Sequence, residues 1–108
     1  MKKYRVKIID EAERDLVDIY TYIAKEDSLE KADHVLGKLE NLALSLTEMP
    51  KRGHVPPELD RLGITDFMEV HFKPYRIIYQ ILGKDVWIHC IIDGRRDMQS
   101  LLQRRLLR

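Results

Sequence analysis

The sequence holds a single cysteine, Cys90, so no intrachain disulfide can staple the chain and its core must rest on packing. A lone thiol also fits a reducing compartment best. No apolar run approaches the roughly 20 residues that span a bilayer. Met1-Lys2-Lys3-Tyr4 opens without the long apolar stretch of a signal peptide. A cytoplasmic protein with no membrane partner is therefore expected. Gly-x-Gly-x-x-Gly and Walker loops are missing, which removes support for nucleotide binding. His34 and His54 have no second ligand at zinc spacing, so no metal and no other cofactor is expected.

What is present is one domain's worth of chain, residues 1–108, able to bury roughly two-thirds of its unfolded surface. Net charge is only +1, yet the charge is sorted along the sequence. Lys2, Lys3, Arg5 and Lys7 make the start basic. Asp10, Glu11, Glu13, Asp15 and Asp18 against Arg14 make the next segment acidic, as a solvated face would be. Arg95, Arg96, Arg104, Arg105 and Arg108 against Asp97 make the end basic again. Local basic patches attract nucleic acid or acidic protein surfaces, so these five arginines are candidate target- or partner-binding residues.

Periodicity orders the elements. Tyr4, Val6 and Ile8 alternate with Arg5 and Lys7, which predicts a strand over residues 2–9 with one wet face. Asp10, with Glu13 three residues on, reads as an N-cap and capping box. Ala12, Leu16, Ile19, Tyr20 and Ile23 then predict an amphipathic helix over 11–25. Asp27 or Ser28 caps a second helix, striped by Ala32, Val35, Leu36, Leu39, Leu42, Ala43 and Leu46, that stops at Met49-Pro50. Residues 50–65 form a loop in which Pro57–Leu62 can make a short helical turn.

Three strands follow, joined by the hairpin-short connectors Lys73-Pro74 and Gly83-Lys84-Asp85. Alternation sets Met68, Val70 and Phe72 opposite Phe67, Glu69 and His71. It sets Tyr75, Ile77, Tyr79 and Ile81 opposite Arg76, Ile78 and Gln80. In the last strand it sets Val86, Ile88, Cys90 and Ile92 opposite Trp87, His89 and Ile91. Cys90 reads as a small apolar strand residue rather than a catalytic thiol. Asp97 caps a final helix whose Met98, Leu101, Leu102 and Leu106 form a docking face. The expected fold is α+β, in the order β-α-α-β-β-β-α, with a helical hairpin on one face of a mainly antiparallel sheet. The other face is expected to stay partly open.

On that second face Glu69, His71, Arg76, Gln80 and His89 would meet, with Arg95 at the edge, if the registers cooperate. A carboxylate, imidazoles and guanidinium groups together could cleave RNA without a metal. A base would take the 2′-hydroxyl proton, arginines would hold the phosphorane, and an acid would protonate the leaving oxygen. Equally, Glu69 and Arg76 could be a plain cross-strand ion pair, and the histidines half-exposed strand residues.

Several segments share a pattern. They are Tyr4-x-Val6; Ala12-x-x-Asp15-Leu16-x-Asp18-Ile19-x-x-Tyr22-Ile23; and Pro50-x-Arg52-Gly53 with Pro57-Glu58-Leu59 and Leu62-Gly63. Tyr75-Arg76-Ile77-x-Tyr79 and Gly94-Arg95-Arg96-Asp97-Met98-x-x-Leu101-Leu102 complete the set. In that order and spacing the chain resembles the RelE/ParE toxin superfamily of type II toxin–antitoxin systems, closer to the ParE branch. The resemblance runs from about Tyr4 to Leu107. It implies a cognate antitoxin whose C-terminal segment wraps the toxin in a hetero-oligomer. It also implies one of two targets: RelE-like members cleave mRNA on the ribosome, whereas ParE-like members inhibit DNA gyrase by protein contact. No tyrosine follows Tyr79, no imidazole follows His89, and the lysine cluster of the nuclease branch is reduced to Lys51 and Arg52. These departures favour a non-enzymatic gyrase inhibitor contacting its target through Arg95, Arg96, Arg104, Arg105 and Arg108. The alternatives are a metal-independent, ribosome-dependent endoribonuclease using Arg76 and Arg95 with Glu69, His71 or His89, and a non-toxic partner-binding relative.

Overall fold

The structure, a computed structural model, describes residues 3–107. Lys2 of the expected first strand and Arg108 of the basic tail lie outside the described residues. Four strands, β1 (Arg5–Ile8), β2 (Met68–Phe72), β3 (Tyr75–Leu82) and β4 (Asp85–Asp93), form one sheet in the order β1-β4-β3-β2. β1 runs parallel to β4, with Val6 opposite Val86, and the other pairs are antiparallel. Gly83 supplies the positive φ of 62° that the first residue of a two-residue hairpin turn requires. Four helices complete the α+β fold: α1 (Asp10–Glu26), α2 (Leu29–Leu44), the short α3 (Pro57–Asp60) and α4 (Met98–Leu106).

α1 begins one residue earlier than its capping pattern predicts. Strand pairing decides this: the Ile9 amide still reaches the Ile88 carbonyl of β4, and the Ile9 carbonyl already receives the Glu13 amide. Ile9 therefore takes the N-cap position without a side-chain bond. Asp10, Glu11 and Glu13 fall in the first turn, where the helix dipole favours acids. Ser28, not Asp27, caps α2 by accepting the Lys31 amide at 3.0 Å. A 3₁₀ turn, Ser45–Thr47, extends α2 and drives Leu46 fully into the core.

The hairpin α1–α2 packs on one face of the sheet. Ala12, Val35, Leu39 and Leu46 meet Val70, Ile77, Tyr79, Val86, Ile88 and Ile91. Each fully buried leucine or isoleucine contributes about 2 kcal/mol to this layer.

One expectation about the sheet is corrected and another is narrowed. Ile78 pairs with Cys90 but Tyr79 pairs with Ile88, so His89 is an extra, bulged residue of β4. Beyond it the alternation inverts: Val86, Ile88 and Ile91 face the hairpin, while Cys90 and Ile92 face away. The second face is covered over its middle and stays partly open at His71, Gln80 and Trp87. Met98, Leu101 and Leu102 of α4, joined by Leu59 and Phe67, cover Ile78, Cys90 and Ile92. The apolar stripe of α4 and the inverted end of β4 bury each other. Accessible polar surface is left at the sheet's margins.

Candidate functional site

Arg76, in the first half of β3, lies opposite His71 on β2 and in line with Glu69. Its three nitrogens all meet carboxylates. Nη1 and Nη2 donate to Glu58 at 2.8 and 2.7 Å, and Nε donates to Glu69 at 2.5 Å. The Arg76 side chain is only 12% exposed and Glu69 is 1% exposed. Two carboxylates thus surround one guanidinium. The hydrogen bond from Arg76 holds the Glu58 carboxyl below its ordinary range, against the opposing effect of burial. The carboxylates in turn hold Arg76 above its own.

Two glycines make this arrangement possible. A Cβ at Gly94 would stand 2.7 Å from Cδ of Arg76, so the bare backbone lets the arginine lie flat. A Cβ at Gly53 would collide with the Glu69 carbonyl and sit 2.6 Å from the Tyr79 hydroxyl. That close approach lets His54 bridge to Glu69, with paired backbone hydrogen bonds of 3.2 and 2.7 Å. His54 Nε2 then stands 2.9 Å from Glu69 Oε2, and His71 Nε2 stands 3.2 Å from Oε1.

The other predicted residues lie elsewhere. His89 Nε2 is 3.3 Å from Gln80 Oε1, and its ring meets Phe67 edge-on at 5.3 Å. Burial first, and Arg105 second, hold its imidazole below the ordinary 6.5, so it is neutral at pH 7. Arg95 is exposed and grips Asp93 through Nε and Nη2 at 3.0 and 2.6 Å. The structure therefore brings Glu69, His71 and Arg76 together, and gives His89 and Arg95 separate partners. Glu58 and His54 were missed as members. Neither is near Glu69 in sequence, and only the Pro57-Glu58 turn and Gly53 hinted that the loop folds back.

The basic C-terminal segment divides likewise. Arg105 is half-buried against Asp15, at 3.1 and 2.9 Å, with Glu11 3.7 Å away. Arg95, Arg96 and Arg104 remain exposed. Arg95 and Arg96 rim an open groove between α1 and β4 whose walls include Asp18, Ile19, Tyr22 and Tyr75. Tyr22 is 68% exposed, a large apolar ring left in water at the mouth of the groove. Among the described residues no helix is long and apolar enough to cross a membrane.

Comparison with known proteins bears on all of this. Residues 6–98 match the model of the ParE toxin of the type II toxin–antitoxin system parDE. Toxin ParE3 of Caulobacter vibrioides is 26% identical over 91 residues, covering 84% of this chain and 87% of that protein. The fold superposes on the chromosomal ParDE toxin–antitoxin system of P. aeruginosa with a TM-score of 0.70 at 18% identity, covering 84% of this chain and 96% of that one. The toxin–antitoxin complex RelBE2 of Mycobacterium tuberculosis gives a TM-score of 0.63 at 21% identity, over 86% and 93% of the two chains. A mutant of the E. coli toxin RelE in the free state gives 0.62 at 12% identity, over 96% and 99%.

Proposed function

The chain belongs to the ParE toxin family of type II toxin–antitoxin systems, and from that premise we propose that it inhibits DNA gyrase by direct protein contact. In this reading it performs no chemistry of its own and is silenced by a cognate antitoxin within a hetero-oligomer. The observation that carries the reading is the state of Arg76. A phosphoryl-transfer site needs a cation free to meet the charge that develops on phosphate. Here every guanidinium nitrogen of Arg76 is engaged by Glu58 or Glu69, and the two carboxylates outnumber it. Such a cluster offers phosphate no uncommitted guanidinium nitrogen of Arg76. Among the described residues of the basic C-terminal segment, Arg96 and Arg104 are the exposed arginines left to contact a macromolecule, with Arg95 exposed but held by Asp93.

For the antitoxin, the groove between α1 and β4 offers the surface. Tyr22 and Ile19 supply apolar contact, and Arg96 at the rim, beside an Arg95 already held by Asp93, offers a cation to an acidic side chain. The P. aeruginosa and M. tuberculosis relatives are toxin–antitoxin assemblies, which supports a partner of that kind.

A supercoiling assay tests the target. Purified protein in excess over gyrase should leave relaxed plasmid relaxed, and addition of the antitoxin should restore supercoiling. Full supercoiling at excess protein, with mRNA cut on translating ribosomes, would replace the reading with a ribosome-dependent nuclease. Full supercoiling together with harmless overexpression would mark a relative without toxicity.

A further inference from the structure

We propose that His54, His71 and Glu69 form a binding site for a divalent transition-metal ion of the zinc type. The three side chains come from the loop after α2 and from the edge strand β2, and the His54–Glu69 bridge brings them together. Both imidazoles turn Nε2 toward the same carboxylate, at 2.9 and 3.2 Å, and the candidate donor atoms all lie within 4.8 Å of one another. Zinc bonds of roughly 2.0–2.2 Å in tetrahedral geometry place ligand atoms about 3.4 Å apart. The trio reaches that geometry with shifts on the order of 1 Å.

The parts that must move are the ones able to. The His54 and His71 side chains are 58% and 40% exposed, and their rings already meet edge-on at 5.2 Å. The part that must stay fixed is Glu69, which is buried and held by the Arg76 Nε hydrogen bond to its Oε1. Such a bond to a ligating carboxylate orients it for the metal.

Hydrogen bonding alone also accounts for these contacts, since a carboxylate accepts about four bonds. What points to a metal is the donor set: two exposed histidines present Nε2 to one fixed carboxylate, the combination a transition metal takes. Charge adds a second reason. Glu58 and Glu69 exceed Arg76 by one negative charge, and a dication reverses that excess locally. Two imidazoles with one carboxylate suit zinc, nickel or copper, and are a poor set for magnesium or calcium, which take oxygen ligands. Three protein ligands would leave a coordination position for water or another donor, and all three line one groove together with Pro74, Tyr75 and Arg95. Bound metal would tie the Gly53-His54 loop to β2 and so reinforce the sheet's outer edge.

The test uses the full chain, freed of metal with EDTA and titrated with Co²⁺. One equivalent should give visible ligand-field bands, which Zn²⁺ abolishes by displacement and Mg²⁺ leaves unchanged. Zn²⁺ should also raise the melting temperature. His54→Ala and His71→Ala, both at exposed positions, should each weaken Co²⁺ binding by about 100-fold, whereas His34→Ala should not. Circular dichroism of each variant confirms that it folds. Absence of both the bands and the Zn²⁺ effect overturns the assignment. So does undiminished binding by the folded double variant. Gyrase inhibition enters none of these readouts, so the metal site and the toxin function stand or fall separately.

Discussion

Arg105 and Asp15, 90 positions apart, form a two-armed ion pair with N–O distances of 3.1 and 2.9 Å. The pair also serves the bulge in β4. Arg105 Nη2 donates to the His89 carbonyl at 3.0 Å, and Asp15 Oδ2 accepts the Ile91 amide at 3.1 Å. A bulge disrupts the strand ladder, and here two side chains from different helices take up the backbone groups beside it. One arginine of the basic C-terminal segment is therefore a clamp between α4, α1 and β4.

Arg105→Ala should accordingly destabilise the fold. Both side chains are about one-sixth exposed, at 16% and 17%. Breaking a fully buried pair costs about 3–5 kcal/mol, and partial exposure lowers this to about 2–3 kcal/mol. Arg104→Ala, at an exposed position on the same helix, should change stability by less than about 0.5 kcal/mol. Urea unfolding of the two variants beside the parent chain measures both. Equal stability of all three would remove the clamp.

The same clamp shows where sequence reading stops. The strong periodic signals, such as the α2 stripe and the alternation in β2 and β3, led to the right elements and the right buried faces. β4 defeated alternation because Ile88, Cys90, Ile91 and Ile92 are apolar on both sides of His89. Nothing in that run marks which residue is extra. A continuous apolar strand of this kind implies burial on both faces, and α4 provides the second cover. The candidate site was half legible. Glu69, His71 and Arg76 follow from hairpin register, whereas His54 and Glu58 arrive through a loop whose path only tertiary contacts determine.

Gly53 and Gly37 allow a paired test of that loop. Gly53→Ala forces a Cβ against the Glu69 carbonyl, a rigid backbone atom of β2, so the loop or the strand edge must move. A loss of about 1–3 kcal/mol is expected. Gly37 lies inside α2 with nothing within 4 Å of its would-be Cβ. Gly37→Ala should therefore stabilise the protein, by about 0.5–1 kcal/mol. Thermal melts that moved in the same direction for both variants would contradict the local packing described at Gly53.

Stability should fall with pH in two stages. His89 titrates below its ordinary 6.5 in the folded state. As pH drops through the window beneath 6.5, the unfolded chain takes up this proton first, and stability declines. Glu58 and Asp93 are both depressed by their arginine partners. Their contribution is intact above the ordinary carboxylate range and is lost as pH falls through their folded values. Urea midpoints measured from pH 8 downward should thus hold level, drop on crossing 6.5, and drop again below the ordinary carboxylate values near 4. His89→Gln should flatten the first decline and leave the second. Persistence of the first decline in that variant would move its origin to another group.

Exposure separates the arginines that hold the fold from those available to a target. Arg76→Met would leave Glu58 and Glu69 without the cation that both now bond, at a cost of about 2–4 kcal/mol to folding. On the proposed gyrase reading, any loss of inhibition in that variant should track its loss of folded protein. Arg96→Ala with Arg104→Ala touches two exposed side chains and should leave the unfolding midpoint nearly unchanged. If those cations meet gyrase, each contributes about 1 kcal/mol to the contact, and the double variant should need roughly 10–100-fold more protein to block supercoiling. Antitoxin affinity supplies the contrast. Only Arg96 of the two borders the groove between α1 and β4, so Arg104→Ala alone should weaken inhibition while the antitoxin binds as before. Inhibition undiminished in the folded double variant would exclude both arginines from the gyrase contact and leave Arg95 as the remaining exposed candidate of the basic segment among the described residues.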